Sequence, residues 1–573
     1  MKQILVARNA NVVHIKDSIK AKYSEDPTSA HTIFLLGHVP VPYSGAFTVP
    51  PDGHTDHVAA WPSDGYYGDM DGVWTDASVN STSGADPRNR NVPGDGKFDR
   101  SSFPTPIECW VGRVDFANLP IITTPEIDLL KQYLDRNHAF RNNDFAPRNR
   151  AIIDDNFGAF SGEAFASGGW KSIAPVVGDT AIEEGDLLTS TRSNSYLWAY
   201  ACGAGSYTSC SGVGTSSDFA SDSQQAVFMM MFGSYFGDWD MTNNLMRTAL
   251  AKGTSLSICW SGRPHWIFHH TGLGEPLGYS VKITQFNLGL YITNTFQTGI
   301  HLSLLGDPTL RTHYIKPASN LVAEAISNHA KLTWTPATGL VAGYNIYRSL
   351  NGAPFEKVNN NPITSNSYSD SCLDFLGIYN YKVRSVLISK TASGTYWNEG
   401  TAVSDTCQVI KIPSASASFS YVTDTPGLFS FTPFSSDATK FKWYFGDGDS
   451  SNLVSPTHQY TNAGSYTVTL IASTDCNSAT KQEIIFANTS VSEIENDFIQ
   501  LYPNPTHSTF TLSGLIPGKA YDVRLIDVLG NIVMNASVSE NTEFDISNMG
   551  SGMYLVRILD ANGAISTRRL IIY

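Results

Sequence analysis

No run of eighteen or more apolar residues occurs in this chain, so the sequence predicts no membrane-crossing helix. Positive charge is scarce. Against 52 Asp and Glu stand 38 Lys and Arg, a formal net charge of −14, and only 16% of residues are charged. A nucleic-acid binder needs a basic face, so that class is set aside. No CxxC pair occurs, which argues against a thiolate zinc site. The seven cysteines (Cys109, Cys202, Cys210, Cys259, Cys372, Cys407 and Cys476) are odd in number, so at least one is unpaired. Cys109 and Cys259 read as small buried hydrophobes. Cys372 and Cys407 fall in one predicted β-domain and could pair. What is plentiful is aromatic side chains, at 12%, beside Gly, Ser, Thr and Asn. That balance fits a β-rich extracellular protein. At 573 residues the chain exceeds one core, and roughly three to five domains are expected.

The last seventy or so residues form a small all-β pattern. Tyr521 to Ile526 alternates and breaks at Leu529-Gly530-Asn531, a hairpin signal. Gly552 to Ile558 reads as another strand, and Ala561-Asn562-Gly563 as another turn. The pieces "LYPNP", "DVLGNIV", "MGSGMYLVRI" and "STRRLIIY", in that order, resemble the C-terminal sorting domain with which Bacteroidetes proteins leave the cell through type IX secretion. The resemblance implies a secreted or outer-surface protein, the type IX machinery as partner, and removal or modification of the chain after about Asp497. A signal peptide is expected for that route. "MKQILVARNANVVHIKDSIK" has no apolar h-region or small-residue cleavage site, so the sequence reads as N-terminally truncated. Met1 to Ala7 reads as a buried strand and Val12 to Lys22 as an amphipathic helix.

Two further β-modules precede the tail. Residues 318–411 carry "HAKLTWTP" with Trp334, "GYNIYRS", and "YNYKVRSV" with Tyr379 and Tyr381. They resemble a fibronectin type III domain, which implies a two-sheet sandwich. Residues 413–488 carry Trp443, Phe445-Gly446-Asp447-Gly448, His458, Tyr460, Gly464 and the strand from Tyr466 to Leu470. These resemble a PKD domain, with Gly446 and Gly448 letting the chain turn sharply. Both read as spacers, or as contacts to an extracellular protein or glycan. "NTSVSEIEND" is the polar linker to the tail at 497–573.

The first 315 residues alternate strands and helices. "HTIFLLGHVPVP", "CWVGRVDF", "RAIIDDNFG", "SYLWAYACGAGS", "QAVFMMMFGSYFGDWD" and "TSLSICWSG" read as strands with loops. "TPEIDLLKQYLDRNHAFRN" and "NNLMRTALA" read as helices, the first with Ile127, Leu130 and Leu134 on its apolar face. This pattern predicts a mainly parallel α/β sheet, with functional groups on the loops after strands. The element order, closing on "LLGDPTLR", resembles the gingipain-like cysteine peptidases (peptidase family C25), which implies a caspase-like fold. The fold class expected for the whole chain is therefore a caspase-like α/β domain followed by three all-β sandwich modules.

The resemblance implies a catalytic His after one strand and a Cys after the next. Here Ala204 stands at the His position and Ser234 at the Cys position. A thiol needs a base or polarising His, and serine needs one still more. The ordinary pair is thus absent, and a binding or scaffolding role is expected of the domain. The alternative is a hydrolase using Cys202 with His265, His269 or His270, or one using a metal. Asp69, Asp71, Asp76, Asp95 and Asp99 form an oxygen-rich run that could hold a structural Ca2+, although outside the EF-hand register. His54, Asp56 and His57 could ligate Zn2+, but such spacing in a turn is more often plain polarity. Trp61, Tyr66, Tyr67 and Trp74 give the surrounding loop apolar anchors, so it is expected to be ordered. Of Trp239, Trp260 and Trp266, about half are expected to be buried, the rest being free for a peptide or glycan.

Overall fold

Tyr196–Cys202 and Ala226–Phe232 are apolar without alternation, the pattern of strands covered on both faces. Both are buried along their whole length in a computed structural model of the chain, which describes residues 2–260, 266–286, 296, 298–489, 498–560 and 565–573. The chain divides into two compact units. The first is Met1–Ala325, Ala330–Asp370 and Gly377–Gln408; the second is Ile326–His329, Ser371–Leu376 and Val409–Tyr573.

The centre of the first unit is an eight-stranded sheet. Its strands are β1 (Thr32–Leu36), β2 (Trp110–Val114), β3 (Ala151–Asp155), β4 (Ile182–Glu184), β5 (Tyr196–Cys202), β6 (Ala226–Phe232), β7 (Ser257–Trp260) and β8 (Leu304–Gly306). They lie in the order β1-β2-β8-β7-β6-β5-β3-β4. The pairs β1–β2, β3–β4, β3–β5, β5–β6 and β6–β7 are parallel, whereas β7–β8 is antiparallel, so the sheet is mixed. In register, Asp155 lies opposite Cys202, and Cys202 opposite Phe232, so the loops after β3, β5 and β6 leave the sheet side by side.

The helices flank this sheet. Val12–Ser24 starts where the Asn11 side chain accepts the Val13 N–H at 2.8 Å, an N-cap. Glu126–Arg141 buries Leu129, Tyr133, Asn137 and Phe140, an i, i+4 stripe. The stripe differs from the one the sequence suggested: Ile127 is 59% exposed and Leu134 40%. The buried face packs Leu129 and Phe140 and bonds through Tyr133, whose hydroxyl donates to the Leu256 carbonyl at 2.7 Å, and through Asn137, whose amide donates to Asp307 at 2.9 Å. Residues 2–7 form no strand, and Leu5 is 88% exposed. The pattern of apolar residues there is too short to find a sheet edge.

The segment 318–409 forms a three-stranded sheet (319–326, 329–335, 367–370) and a four-stranded one (343–350, 356–357, 377–391, 394–409). Within the first unit its second sheet meets the α/β part: Thr391 Oγ1 donates to the Gly272 carbonyl, Ser393 Oγ to that of Pro175, and Thr401 Oγ1 to Asn142 Oδ1. In the second unit, residues 418–487 repeat the three-plus-four arrangement around Trp443, Phe429, Phe431 and Leu470. Residues 500–572 repeat it again around Phe510, Val523, Leu525 and Ile558. The predicted turn at Ala561-Asn562-Gly563 and the linker segment 490–497, with Asp497, lie outside the described residues. The chain is therefore multidomain and strongly β-rich.

Cys372 and Cys407, a pairing the sequence left open, are not bonded to each other. Cys372 is bonded to Cys476, with Cα atoms 5.2 Å apart, and Cys407 is a free buried thiol. Cys407 lies within a strand and is buried there, while Cys372 sits in a loop at φ 60°. Cys109 and Cys259 are free and buried.

Candidate functional site

The long loop after β1 and the loop after β6 meet. Trp61 and Tyr67 anchor the first loop in the core, as their size and apolar rings favour, and both are fully buried. A short antiparallel pair, Tyr43–Phe47 with Ala59–Pro62, shapes its middle. Between these strands lie Asp52, His54, Asp56 and His57. The second loop begins at Gly233 and carries Ser234, Tyr235 and Asp238.

Across this meeting, His54 Nε2 lies 2.6 Å from Ser234 Oγ. For Nε2 to accept the hydroxyl proton, the imidazole must carry its own proton on Nδ1. Tyr235, directly after the serine, has φ +66°. A bulky residue in that region is strained, and such strain persists only where its surroundings hold it. Here the Tyr235 N–H donates to Asp52 Oδ2 at 3.0 Å and the hydroxyl donates to Asp56 at 3.0 Å. The ring stacks on His54 and on His57, with centroids 4.8 and 5.1 Å apart.

Beneath this pair lies a buried charged network. His57 bonds through Nδ1 to Asp52 at 2.7 Å and through Nε2 to Asp238 at 3.2 Å. Burial works against a charged imidazole, but the hydrogen bonds to Asp238 and Asp52 win, and the His57 pKa is raised to about 9. Asp238 is also held by Arg88 Nη2 and Asn89 Nδ2, each at 2.8 Å. Because the His57 pKa is raised in the folded state, its stabilisation is complete below about pH 6.5, the unfolded value, and is lost as pH rises through about 9. The thermal midpoint of the first unit should therefore fall between neutral pH and about pH 9. In His57→Gln that fall should be much smaller, which calorimetry across this range would read.

A cleft of about 570 Å³ opens beside the loop after β5. Ala204, Gly205, Ser209, Ser211 and Gly212 line it, with no aromatic ring among the lining residues. Gly205 is required by close approach, since a Cβ there would lie 2.5 Å from the Ser234 carbonyl oxygen. Gly233 is similarly confined, 2.6 Å from the Gly203 oxygen.

The residues the sequence singled out are distributed unevenly. Ser234 is at the site; Ala204 lines the cleft and supplies no base. Cys202 is buried at the end of β5, and its thiol donates to Asp155 Oδ1 at 3.2 Å. Burial, and then that carboxylate, push the thiol up to about 12, the opposite of an activated nucleophile. Among the described residues no histidine lies within hydrogen-bond reach of it. His269 and His270 lie side by side in the turn His269–Leu273, their rings tilted with centroids 4.1 Å apart. His265 lies outside the described residues. Trp239, Trp260 and Trp266 are all buried, more than expected.

His54, Asp56 and His57 do not gather as metal ligands. Both nitrogens of His57 face aspartates, and Asp56 faces Tyr235. The sequence placed His54 and His57 in a polar turn, and it offered no signal that His54 faces a serine 180 residues away.

Of the five aspartates suggested for Ca2+, Asp69 and Asp71 come together with Glu108, their ligand atoms within 4.8 Å of one another. Asp69 is already occupied by donors: the Gly72 N–H, Thr105 Oγ1 and Trp74 Nε1. Asp76 accepts the Gly94 and Gly96 N–H groups, and Asp95 accepts those of Val92 and Lys97. Asp99 accepts three N–H groups and the Thr75 hydroxyl, which hold its carboxyl below the usual range although burial opposes this. These carboxylates organise the loop through its own backbone.

Residues 500–573 match the secretion system C-terminal sorting domain, and residues 425–487 match the PKD domain. The PKD1 domain from Vibrio cholerae metalloprotease PrtV is 33% identical, over 13% of this chain and 99% of that one, with a TM-score of 0.13. The PKD1 domain of Vibrio anguillarum Epp is 27% identical, over 13% and 96%, also at 0.13. The central fibronectin-III array of RIM-binding protein is 15% identical, over 45% and 97%, at 0.14. No curated protein matches the chain. The chain thus carries a PKD domain and ends in a sorting domain. The sorting domain implies export by the type IX machinery to the cell surface or the extracellular space. Among the described residues no helix is long and apolar enough to cross a membrane.

Proposed function

We propose that the α/β part of this exported protein is a serine-type hydrolase of acyl esters or amides, with Ser234 as nucleophile and His54 as its base. The observation that carries this is the 2.6 Å approach of His54 Nε2 to Ser234 Oγ. Ser234 Oγ attacks the acyl carbon while its proton passes to His54 Nε2. The tetrahedral intermediate collapses, and the leaving group takes that proton from His54. Water, deprotonated by the same nitrogen, then hydrolyses the acyl-enzyme and frees Ser234. In this reading the domain keeps a gingipain-like, caspase-like frame, places serine at the thiol position, and draws its base from the long loop after β1, not from position 204. The fibronectin-like and PKD modules act as spacers.

A second reading, a domain that binds an extracellular peptide or glycan without cutting it, is favoured by Ala204 at the usual base position. Hydrolysis of p-nitrophenyl acetate by the purified protein decides between them. The hydrolase reading expects a burst of nitrophenolate stoichiometric with protein, absent from Ser234→Ala; no burst in the wild type leaves the binding reading. Export is tested separately: removing residues 497–573 should leave the protein in the periplasm, seen by fractionation, whereas surface appearance of the truncated chain would contradict type IX export.

A further inference from the structure

Asp52 joins the two halves of the Ser234–His54 pair. It lies on the loop that carries His54, and it is buried. Its Oδ1 accepts the His54 N–H at 3.2 Å, which fixes the backbone of the base. Its Oδ2 accepts the Tyr235 N–H at 3.0 Å, which fixes the backbone directly after the nucleophile. The same Oδ2 accepts from His57 Nδ1 at 2.7 Å, and His57 is tied on its far side to Asp238. Asp238 in turn is held by Arg88 and Asn89, so the carboxylate has a firm backing.

We infer that Asp52 is the positioning residue of this hydrolase: one carboxylate that sets the distance between the base on one loop and the nucleophile on the other. The inference rests on the serine-hydrolase reading. The two loops also meet through Tyr235 with Asp56 and through His57 with Asp238, but of these groups only Asp52 bonds the backbone of both the base and the residue after the nucleophile. Tyr235 is the critical one, because its positive φ is an unfavoured state for a bulky residue and its N–H must find an acceptor there. Without the Asp52 acceptor, that N–H loses its partner, and the backbone beside Ser234 loses its direct tie to the loop that carries His54. A displacement of about 1 Å in a reacting pair lowers rates on the order of 100-fold. Burial alone would favour a neutral Asp52, yet the hydrogen bond and charge of His57 and the N–H donors hold its carboxyl below the usual range. The ionised group is thus available to both loops at neutral pH. Asp52 does not reach the substrate, since its oxygens are occupied by the two N–H groups and His57.

The test compares Asp52→Asn and Asp52→Ala with Ser234→Ala in the full chain, using p-nitrophenyl acetate and following kcat and KM separately. Thermal unfolding of each variant reports the folded fraction. The expected result is a kcat about 100-fold lower in Asp52→Ala, with KM within about twofold of wild type, a smaller loss in Asp52→Asn, and partial recovery of Asp52→Ala by added formate. A purely structural Asp52 would lower activity only in step with the folded fraction, and formate would not restore it; that result overturns the inference. If Ser234→Ala abolishes turnover while both Asp52 variants keep the wild-type kcat, the positioning role fails and the hydrolase reading stands. If Ser234→Ala keeps full turnover, the hydrolase reading fails, and this inference with it.

Discussion

Replacing His54 by alanine is expected to lower the rate of Ser234 acylation on the order of 10³-fold or more. A serine hydroxyl is a poor nucleophile until its proton is taken, and His54 Nε2 is the group placed to take it, 2.6 Å away. Ser234→Ala should cost a similar amount. The double variant should cost little more than either single one, because the two side chains work as a unit. The residual rate of His54→Ala should rise with hydroxide concentration, since solvent then supplies the base. His57→Gln is expected to behave differently. It disturbs the charged network beneath Tyr235, so its effect on kcat should be partial and accompanied by a lower melting temperature. Equal and complete losses in His54→Ala and His57→Gln would mean that the loop as a whole, and not His54, is being measured. Stopped-flow acylation by a nitrophenyl ester separates these cases.

The second large effect concerns the Cys372–Cys476 bond, whose partners are 104 residues apart. A cross-link over about 100 residues removes enough disorder from the unfolded chain to be worth roughly 4–5 kcal/mol in the loop-entropy account. Cys372→Ser combined with Cys476→Ser should lower the unfolding midpoint of the second unit by on the order of 10 °C or more. Reducing agent should produce the same fall in the wild type and none in the double variant. Cys407→Ser should leave that midpoint unchanged, because Cys407 is unbonded. A reductant-insensitive wild type would contradict the bond.

Much of the fold could be read from the sequence because its strands announce themselves. Tyr196–Cys202 and Ala226–Phe232 are unbroken apolar runs, and only a doubly covered strand suits them. Tyr521–Ile526 alternates cleanly, and its buried residues are Tyr521, Val523 and Leu525. What failed were features set by a partner far away in sequence. Ile127 and Leu134 are as apolar as Leu129, but the stripe that faces inward is the one carrying Tyr133 and Asn137, whose partners, the Leu256 carbonyl and Asp307, lie far away in sequence. The disulfide could not be assigned for the same reason, since Cys372 and Cys407 look like neighbours in one module until the turn carrying Cys476 is placed. At the site, Ser234 and Ala204 stood out through local motif order only as positions where an expected pair is missing, not as a nucleophile and its surroundings. His54 did not stand out as a base, because a histidine in a polar turn carries no mark of what faces it across 180 residues. The aspartates show the same limit: the sequence offered Asp76, Asp95 and Asp99 as an oxygen-rich run, and it gave no sign that backbone N–H groups of the loop bond to each of them.

The most direct measurement is covalent. A fluorophosphonate reacts fastest with a serine whose proton is withdrawn by a base, so its site and its dependence on His54 report the Ser234–His54 contact. Intact mass and peptide mapping of the treated full chain should show one phosphonyl group, on the peptide containing Ser234, and none in His54→Ala. Full labelling of Ser234 in His54→Ala, labelling at another residue, or no labelling of the folded wild type would contradict the account.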